Sequence, residues 1–496
     1  MNKIYTLFFL LSFIGANSQE LLFEREVKLK SFFNEDKKES FPVVNYSNKS
    51  IVMFLLDKKE IKSFLFDMNY VLIDSFTTTR PKSKYDILLG HTFENNNYNL
   101  IFTNDNKTKF FIKTINIGDK RFKYKELDIK IRKETFLESI SYNNNLYIVT
   151  IKNSSSILNI YEFKGRDISR IEKIDLTNHK FTKASRSLYY VLFNGTSARK
   201  ENIILSKIDN KNPNPIDLSS FENKIYCYNN KIHITLDLYS NFTKLISINL
   251  TNFETNLVDF EFPKVDCDYD LGINSNSYLL GDNIYQVNGC KNELYFSISD
   301  IYSKEKLKEW NVKKDEIINF KNTPLIQLGN AFNKNKKYRE LNETEQILRK
   351  MGASNIGVSA YEANDNLEIT IGGYKKMNTK GFLAAVASAG VVMTAGTAGA
   401  FVYLGSDNRH YYYNSTMYTY ENYSFARSVY FKSLLNKNLE NITGSINENA
   451  FDKIKKYNDE YKKKLNTETI FKVYDYYVLG YYDKKEAKYF LLKFED

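Results

Sequence analysis

Residue types that commonly build catalytic and metal sites are scarce in this chain. Its 496 residues include 4 histidines, 3 cysteines and 1 tryptophan. The histidines (His91, His179, His233 and His410) stand at no spacing that metal ligands share. The sequence also has no G-x-S-x-G elbow, H-E-x-x-H pair, C-x-x-C pair or phosphate-binding G-x-x-x-x-G-K loop. We therefore assign no catalytic residue from the sequence.

Charge and cysteine content limit the class of partner and the redox state. The net charge is +11, but lysine alternates with aspartate and glutamate instead of clustering, so no nucleic-acid partner is predicted. Three cysteines leave one unpaired if the chain is oxidised. A Cys267–Cys290 bridge between neighbouring strands is the most economical pairing, and three reduced, buried thiols are the alternative.

The first residues are typical of a secretory signal peptide. Lys3 precedes the apolar run Leu7–Ile14, and the small residues Ala16 and Ser18 fit a cleavage site. A buried N-terminal helix is the weaker alternative because the apolar run is short. Residues 1–18 are therefore predicted to be removed. The mature chain is expected in the periplasm, at the outer membrane or outside the cell.

A strand–turn–strand pattern recurs along the chain at intervals of roughly 42 to 52 residues. Each copy has a β-branched or aromatic run, a polar turn and a second such run. The copies are Ile51–Phe66, Leu100–Ile115, Leu146–Phe163, Leu188–Ile208, Ile232–Leu250, Ile284–Ile298 and Val478–Phe494. This period suits a propeller blade of four short strands. The sequence therefore predicts an all-β fold.

Single strands between these hairpins complete the pattern. Phe122–Ile129, Ser169–Leu176 and Asn256–Phe262 alternate apolar with charged residues, as half-exposed outer strands do. Leu22–Leu29 has the same pattern, whereas the hairpin Tyr476–Phe494 ends without an outer strand. We expect Leu22–Leu29 to pair with that hairpin, which would remove two free sheet edges.

Through this pattern and period, nearly the whole mature chain resembles exported β-propeller proteins as an architecture. The resemblance implies a single β-propeller domain over residues 19–496, with about seven blades closed by the N-terminal strand; six or eight blades stay open. Short helical insertions are expected near the C-terminus: one opened by Asn342 and closed by Gly352, and an amphipathic helix over 446–465. No WD, kelch or NHL-type motif is present, so the resemblance assigns no functional residue.

Residues 377–425 form an apolar and tyrosine-rich insertion. Phe382–Leu404 contains no charged residue. The sequence favours a buried insertion, with an exposed loop that docks into a partner or a bilayer surface as the functional alternative. A transmembrane anchor is the weakest alternative. The lysines before the segment would place the preceding part of the chain in the cytoplasm, which conflicts with the export predicted from the signal peptide. The docking alternative names Val391, Val392, Phe401 and Tyr403 as contact residues.

Directly after this segment the chain is rich in tyrosine. Tyrosine offers a large contact area and a hydroxyl group, which suits protein or glycan recognition. The structural alternative is an irregular loop or edge strand held by aromatic pairs. The candidate partner-binding residues are Tyr411, Tyr412, Tyr413, Tyr418 and Tyr420.

Asp266, Asp268 and Asp270 provide the only metal-like spacing in the sequence. Carboxylates at alternate loop positions can converge on calcium. However, Gly272 falls one place later than calcium loops require, and no acidic residue stands at the closing position. A solvated turn is favoured over a calcium site, and no other cofactor is predicted.

Together these features predict an exported envelope protein that binds or scaffolds a protein or glycan through a propeller rim. One alternative is an extracellular glycan hydrolase or lyase, for which Glu94, Asp237 and Asp300 are carboxylates at strand ends. The other is a membrane-associated protein anchored by residues 382–404, and peripheral membrane contact belongs to the same hypothesis. The oligomeric state is not predicted.

Overall fold

The protein is all-β, with small, mostly antiparallel sheets. A computed structural model describes residues 19–29, 38–127, 129, 131, 133–181, 185–193, 205–237, 241–267, 273–330, 333–363, 365–375, 410–423, 427–461 and 465–496. The chain divides into two compact units. Unit 1 comprises residues 1–80 and 448–496, and unit 2 comprises residues 81–447.

Unit 1 contains two four-stranded sheets among its described residues. Its first strands are β1 (Glu20–Glu26), β2 (Glu39–Asn45), β3 (Ser50–Leu56), β4 (Glu60–Asp67) and β5 (Leu72–Thr79). Strands β2 to β5 pair in order. Alternating burial along β4 reflects the two faces of a pleated strand.

Unit 2 begins with three sheets. The first contains β6 (Ile87–Glu94), β7 (Asn97–Thr103), β8 (Phe110–Asn116) and β9 (Arg121–Leu127). The second contains β10 (Glu134–Tyr142), β11 (Asn145–Lys152), β12 (Ile157–Lys164) and β13 (Asp167–Asp175). The third contains β14 (Ser206–Ile208), β15 (Asn223–Tyr228), β16 (Lys231–Leu236), β17 (Phe242–Asn249) and β18 (Thr255–Glu261). Strand β14 is parallel to β15, and the remaining pairs are antiparallel.

Two further sheets complete the described part of unit 2. One contains β19 (Asn274–Leu280), β20 (Asn283–Gly289), β21 (Glu293–Asp300) and β22 (Lys306–Lys313). The other contains β23 (Leu325–Asn330), β24 (Asn333–Leu341), β25 (Asn355–Ala363), β26 (Asn366–Tyr374) and β27 (Ser428–Leu435), in the order β24-β23-β27-β26-β25. Apolar side chains from neighbouring sheets form continuous cores, as with Ile112, Ile148 and Phe163.

The chain returns to unit 1 with β28 (Leu465–Val473), β29 (Tyr476–Asp483) and β30 (Lys488–Glu495). Strand β1 pairs with β30, with Glu20 opposite Lys493, and completes a four-stranded sheet. This confirms the predicted pairing of the first strand with the last hairpin. The unit core includes Ile51, Phe66 and Val478.

Short helices interrupt the strands. They are α1 (Leu188–Leu192), α2 (Ile216–Ser219), α3 (Thr344–Gly352), α4 (His410–Tyr413), α5 (Ser415–Asn422) and α6 (Ala450–Tyr461). Helix α6 lies within the predicted 446–465 helix and buries Phe451, Ile454 and Tyr457. The predicted helix end at residue 465 is wrong, because Leu465 begins strand β28. Helix α3 starts one residue later than expected, with Glu343 instead of Asn342 at its N-cap.

One predicted hairpin is wrong. Leu188–Ile208 was expected to form two strands, but its first run is helix α1 and its last three residues are strand β14. The Ser187 hydroxyl accepts a hydrogen bond from the Tyr190 amide and starts the helix. Burial of Leu188, Val191 and Leu192 then stabilises it.

Candidate functional site

Helices α4 and α5 pack against three consecutive sheets of unit 2. Asn414, between the two helices, accepts a hydrogen bond from the Met417 amide at 3.0 Å and so begins α5. Helix α4 packs on β6 and β10, and helix α5 packs on α2 and β14. Because β6, β10 and β14 are each the first strand of a sheet, the helix pair joins corresponding edges of the three sheets.

The tyrosines of this helix pair are mostly interior. Tyr412 is 8% exposed, Tyr413 is 9% exposed and Tyr418 is 1% exposed. This burial corrects the prediction that these three rings bind a partner, because they offer almost no surface for contact. Tyr420 is half-buried. Tyr411 belongs to α4, but its side chain lies outside the described part of the structure.

A partly buried lysine fixes α4 to two sheets. Lys207, on β14, donates hydrogen bonds to the carbonyl oxygens of Ser139 at 2.7 Å and Tyr412 at 3.0 Å. Its ammonium nitrogen also lies 3.6 Å from the carboxylate of Glu138, whose side chain is fully buried. The ion pair thus joins β14 to β10, and the hydrogen bond to the Tyr412 carbonyl holds α4 on both strands.

Two further polar contacts position α5. Ser415 donates a hydrogen bond to the carboxylate of Asp209 at 2.7 Å, and the Asn212 amide donates to the Thr416 hydroxyl at 3.4 Å. On the α4 side, the Lys107 ammonium lies 5.3 Å from the ring centroid of Tyr412. We call Lys207, Glu138, Asp209, Asn212 and Ser415 the helix anchor.

The electrostatics of the helix anchor favour a structural role for the phenol groups. Burial raises the pKa of Tyr412 and of Tyr418, and the nearby charge of Glu138 adds to both shifts. Both phenols therefore stay protonated at physiological pH and cannot act as general bases. Tyr412 and Tyr418 therefore serve packing beside the helix anchor.

The contact residues predicted before the tyrosine run lie outside the described residues. They are Val391, Val392, Phe401 and Tyr403. What the structure does define is where this segment meets the fold: strand β26 ends at Tyr374 before it, and helix α4 starts at His410 after it. No helix within the described ranges is long and apolar enough to span a membrane.

The candidate calcium loop, for which the sequence favours a solvated turn, is described only in part. Asp268 and Asp270 lie outside the described residues, whereas the amide of Asp266 donates a hydrogen bond to the carboxylate of Glu293. Cys267 and Cys290 form a disulfide with a Cα–Cα distance of 6.3 Å, the pairing that the sequence favours. Among residues whose placement is described, no three His, Cys, Asp or Glu side chains are grouped to hold a metal ion.

Two of the strand-end carboxylates have structural partners. Asp237 is buried and forms an ion pair with Lys224 at 2.9 Å. Asp300 accepts hydrogen bonds from the amides of Tyr302 and Ser303, and these bonds lower the pKa of its carboxyl group. Glu94, at the end of β6, is exposed. Asp237 and Asp300 therefore serve the fold.

Sequence reasoning did not identify the helix anchor. Lys207 and Glu138 lie on different strands and stand far apart in sequence, so no spacing connects them. Asn414 before Ser415 and Thr416 is an N-cap signal that could have predicted α5.

Comparison with known proteins gives no family. No family model and no curated protein match the chain. A putative exported protein from Bacteroides fragilis NCTC 9343 is 12% identical over 84% of this chain and 95% of its own, with a TM-score of 0.25. An uncharacterized protein from Listeria monocytogenes EGD-e is 11% identical over 70% and 82%, with a TM-score of 0.27.

An ACO/RPE65 chimera is 7% identical over 55% of this chain, with a TM-score of 0.27. The match spans 60% of the chimera's length. At TM-scores this low, these likenesses carry no argument about fold, activity or ligand.

Proposed function

We propose that this protein is an exported binding or scaffolding protein of a bacterial cell envelope. It recognises a protein or ligand through the segment between β26 and α4, presented on the rim of a seven-bladed β-propeller. The helix anchor carries the proposal, because its polar contacts fix the helices that follow an uncharged segment to the second and third sheets of unit 2.

The sheet order supports the propeller arrangement. The described strands form seven sheets of four or five strands, and within each unit successive sheets follow the chain. Strand β1 supplies the missing outer strand of the sheet that contains β28 to β30. A propeller uses its terminal strands in this way so that no blade is left incomplete.

Export is supported by the disulfide and by the sequence of residues 1–18. Stable disulfides form mainly in oxidising compartments such as the periplasm and the extracellular space. The Cys267–Cys290 bridge therefore agrees with removal of residues 1–18 as a signal peptide.

The proposed recognition element is the apolar segment 382–404. An uncharged segment of this length in a chain that is 26% charged is typical of a binding surface when it is exposed. At its end, Lys207 and Asp209 hold α4 and α5 on strands of the second and third sheets of unit 2. A fixed base lowers the entropy lost when such a segment docks.

The proposal is tested by replacing residues 381–405 with a glycine–serine linker of equal length. The replacement stops before residue 410 because Tyr412 and Tyr418 belong to the core. We expect the tagged parent protein, purified gently from envelopes, to retain a stoichiometric partner detected by mass spectrometry. The replacement variant should fold and lose that partner.

A matched control is Ile317→Ser, which removes an exposed apolar side chain elsewhere in unit 2. It should keep the partner. A parent protein that elutes alone, or a partner that the replacement variant retains, would refute recognition through this segment.

A further inference from the structure

Four tyrosines cluster at one end of unit 1, remote in sequence from the rim segment. Tyr46 follows β2 and is 51% exposed, and Tyr474, in the β28–β29 turn, is 61% exposed. Their ring centroids are 5.1 Å apart, with 53° between the ring planes. Tyr70 and Tyr476 lie near Tyr46 and share a hydroxyl–hydroxyl hydrogen bond of 3.2 Å with each other. We call these residues the tyrosine cluster.

The backbone of the cluster is unusual for tyrosine. Tyr474 has φ of 52° and Tyr70 has φ of 61°, in the left-handed region that bulky residues rarely occupy. Two-residue turns also join three other strand pairs, β6–β7, β10–β11 and β15–β16. Those turns hold two asparagines each, which are Asn95–Asn96, Asn143–Asn144 and Asn229–Asn230. Asparagine tolerates this conformation far better than tyrosine. Tyr474 therefore costs conformational energy that asparagine would avoid at this position.

Contacts beneath the exposed rings hold them in place. The Tyr474 amide donates a hydrogen bond to the Tyr46 hydroxyl at 3.3 Å, so the two exposed residues are linked directly. Tyr70 is 4% exposed and packs in the core of unit 1. The two exposed rings thus contact each other and are linked by a hydrogen bond, so less side-chain entropy remains to be lost on binding.

The charge beside the cluster is negative on balance, because Lys493 lies near two glutamates and the exposed Asp475 follows Tyr474. The Lys493 ammonium lies 5.0 Å from the ring centroid of Tyr476. The same ammonium is paired with Glu495 at 2.5 Å and with Glu20 at 3.6 Å. A neutral ligand therefore fits this site better than an anion, which would have to compete with two carboxylates.

We propose that the tyrosine cluster binds a neutral sugar unit of a glycan. The C–H face of a pyranose can stack on the exposed ring of Tyr474 or Tyr46, as apolar groups do on aromatic faces. In the hydrogen bond from the Tyr474 amide, the oxygen of the Tyr46 hydroxyl is the acceptor. The hydrogen of that hydroxyl can therefore be donated to a sugar oxygen.

The size of the surface favours a sugar over a folded protein. A stable protein interface takes about 800 Å² from each partner, on the order of 20 to 30 residues. The exposed part of the tyrosine cluster is one pair of rings 5.1 Å apart, which matches a single sugar ring. This inference is independent of the proposed rim segment, which belongs to unit 2.

The test is calorimetric titration of the mature chain with three neutral probes, cellohexaose, mannohexaose and xylohexaose. A galacturonate hexasaccharide serves as the charged comparison. We expect at least one neutral probe to bind, and Tyr474→Asn to weaken that binding by about tenfold or more. Tyr474→Asn should melt at the same temperature as the parent or higher, because asparagine suits the left-handed turn. Tyr46→Ala should also weaken binding.

Tyr302→Ala is the matched control, since Tyr302 in unit 2 is 57% exposed and has Lys231 beside its ring. It should bind like the parent. The proposal is overturned if no neutral probe binds, if Tyr474→Asn binds as tightly as the parent, or if the galacturonate probe binds better. A protein captured through Tyr474 without sugar binding would also overturn it. Replacing residues 381–405 should leave sugar binding unchanged, so the two proposals can fail separately.

Discussion

The buried ion pair between Lys224 and Asp237 should be a major determinant of the stability of unit 2. Both side chains are fully buried. The Lys224 ammonium donates to the Asp237 carboxylate at 2.9 Å, to the Phe221 carbonyl at 2.6 Å and to the Asn276 side chain at 3.3 Å. The carboxylate also accepts hydrogen bonds from Thr243 and Ser277. The pair thus connects the sheet of β14–β18 with that of β19–β22.

Lys224→Met keeps the aliphatic stem and removes only the charge and its three hydrogen bonds. Removing one partner of a buried ion pair typically costs about 3–5 kcal/mol. Because Asp237 would retain donors from Thr243 and Ser277, we expect a loss near the lower end, about 3 kcal/mol. Asp237→Asn should cost less: burial already lowers the pKa of Lys224, so the lysine can become neutral when the opposing charge of Asp237 is removed.

The single tryptophan gives a local readout of this loss. Trp310 lies on β22 and stacks on Phe296, with ring centroids 5.2 Å apart. At a guanidinium m-value of about 4 kcal/mol per molar, the loss in Lys224→Met would lower the midpoint of the fluorescence transition by about 1 M. The double variant should lose less than the sum of the two single losses, by about 2 kcal/mol. This account fails if Lys224→Met shifts the midpoint by less than about a quarter of the expected value. It also fails if the stability losses of the two single variants add up to the loss of the double variant.

The remaining predictions concern the disulfide and one histidine. Replacing both Cys267 and Cys290 by serine should lower the free energy of unfolding by about 3 kcal/mol, since the bridge closes a loop with a sequence separation of 23; an unchanged melting temperature would contradict this. Burial lowers the pKa of His233 in the folded protein from 6.5 to about 4. Between these two pH values the unfolded chain binds more protons than the folded protein does. The free energy of unfolding should therefore fall as the pH drops from 6.5 to 4. His233→Gln should reduce that fall when the free energy of unfolding is measured by denaturation at several pH values. An identical pH profile for the variant and the parent would exclude the effect.

Hydrophobic patterning predicted most strands because the inner strands are nearly continuous apolar runs that are buried along their length. The hairpin Ile51–Phe66 became β3 and β4. The exposed outer strands followed a different rule, since β9 and β13 alternate charged with apolar residues. Pairing of β1 with β30 could be predicted because the last hairpin has an unpaired edge.

The errors arose where tertiary contacts decide a short apolar run. Leu188–Leu192 has residues typical of a strand, yet burial around the run and the cap from Ser187 favour a helix. Tyr412 and Tyr418 look like surface recognition residues in sequence, but they fill space between sheets. The helix anchor could not be predicted, because Glu138 and Lys207 meet only after two sheets have formed.

The pairing of β1 with β30 has a consequence for how the protein reaches its folded state. Glu20 and Lys493 are opposite each other in one sheet, although nearly the entire chain separates them. Ribosomes add about 5–20 residues per second, so β1 would wait roughly half a minute to a minute and a half for its partner. Closing so long a loop is slow compared with forming a hairpin. We expect the sheet of β28–β30 to be the last to become protected from amide hydrogen exchange during refolding, and its exposed edges to be the main source of aggregation until then.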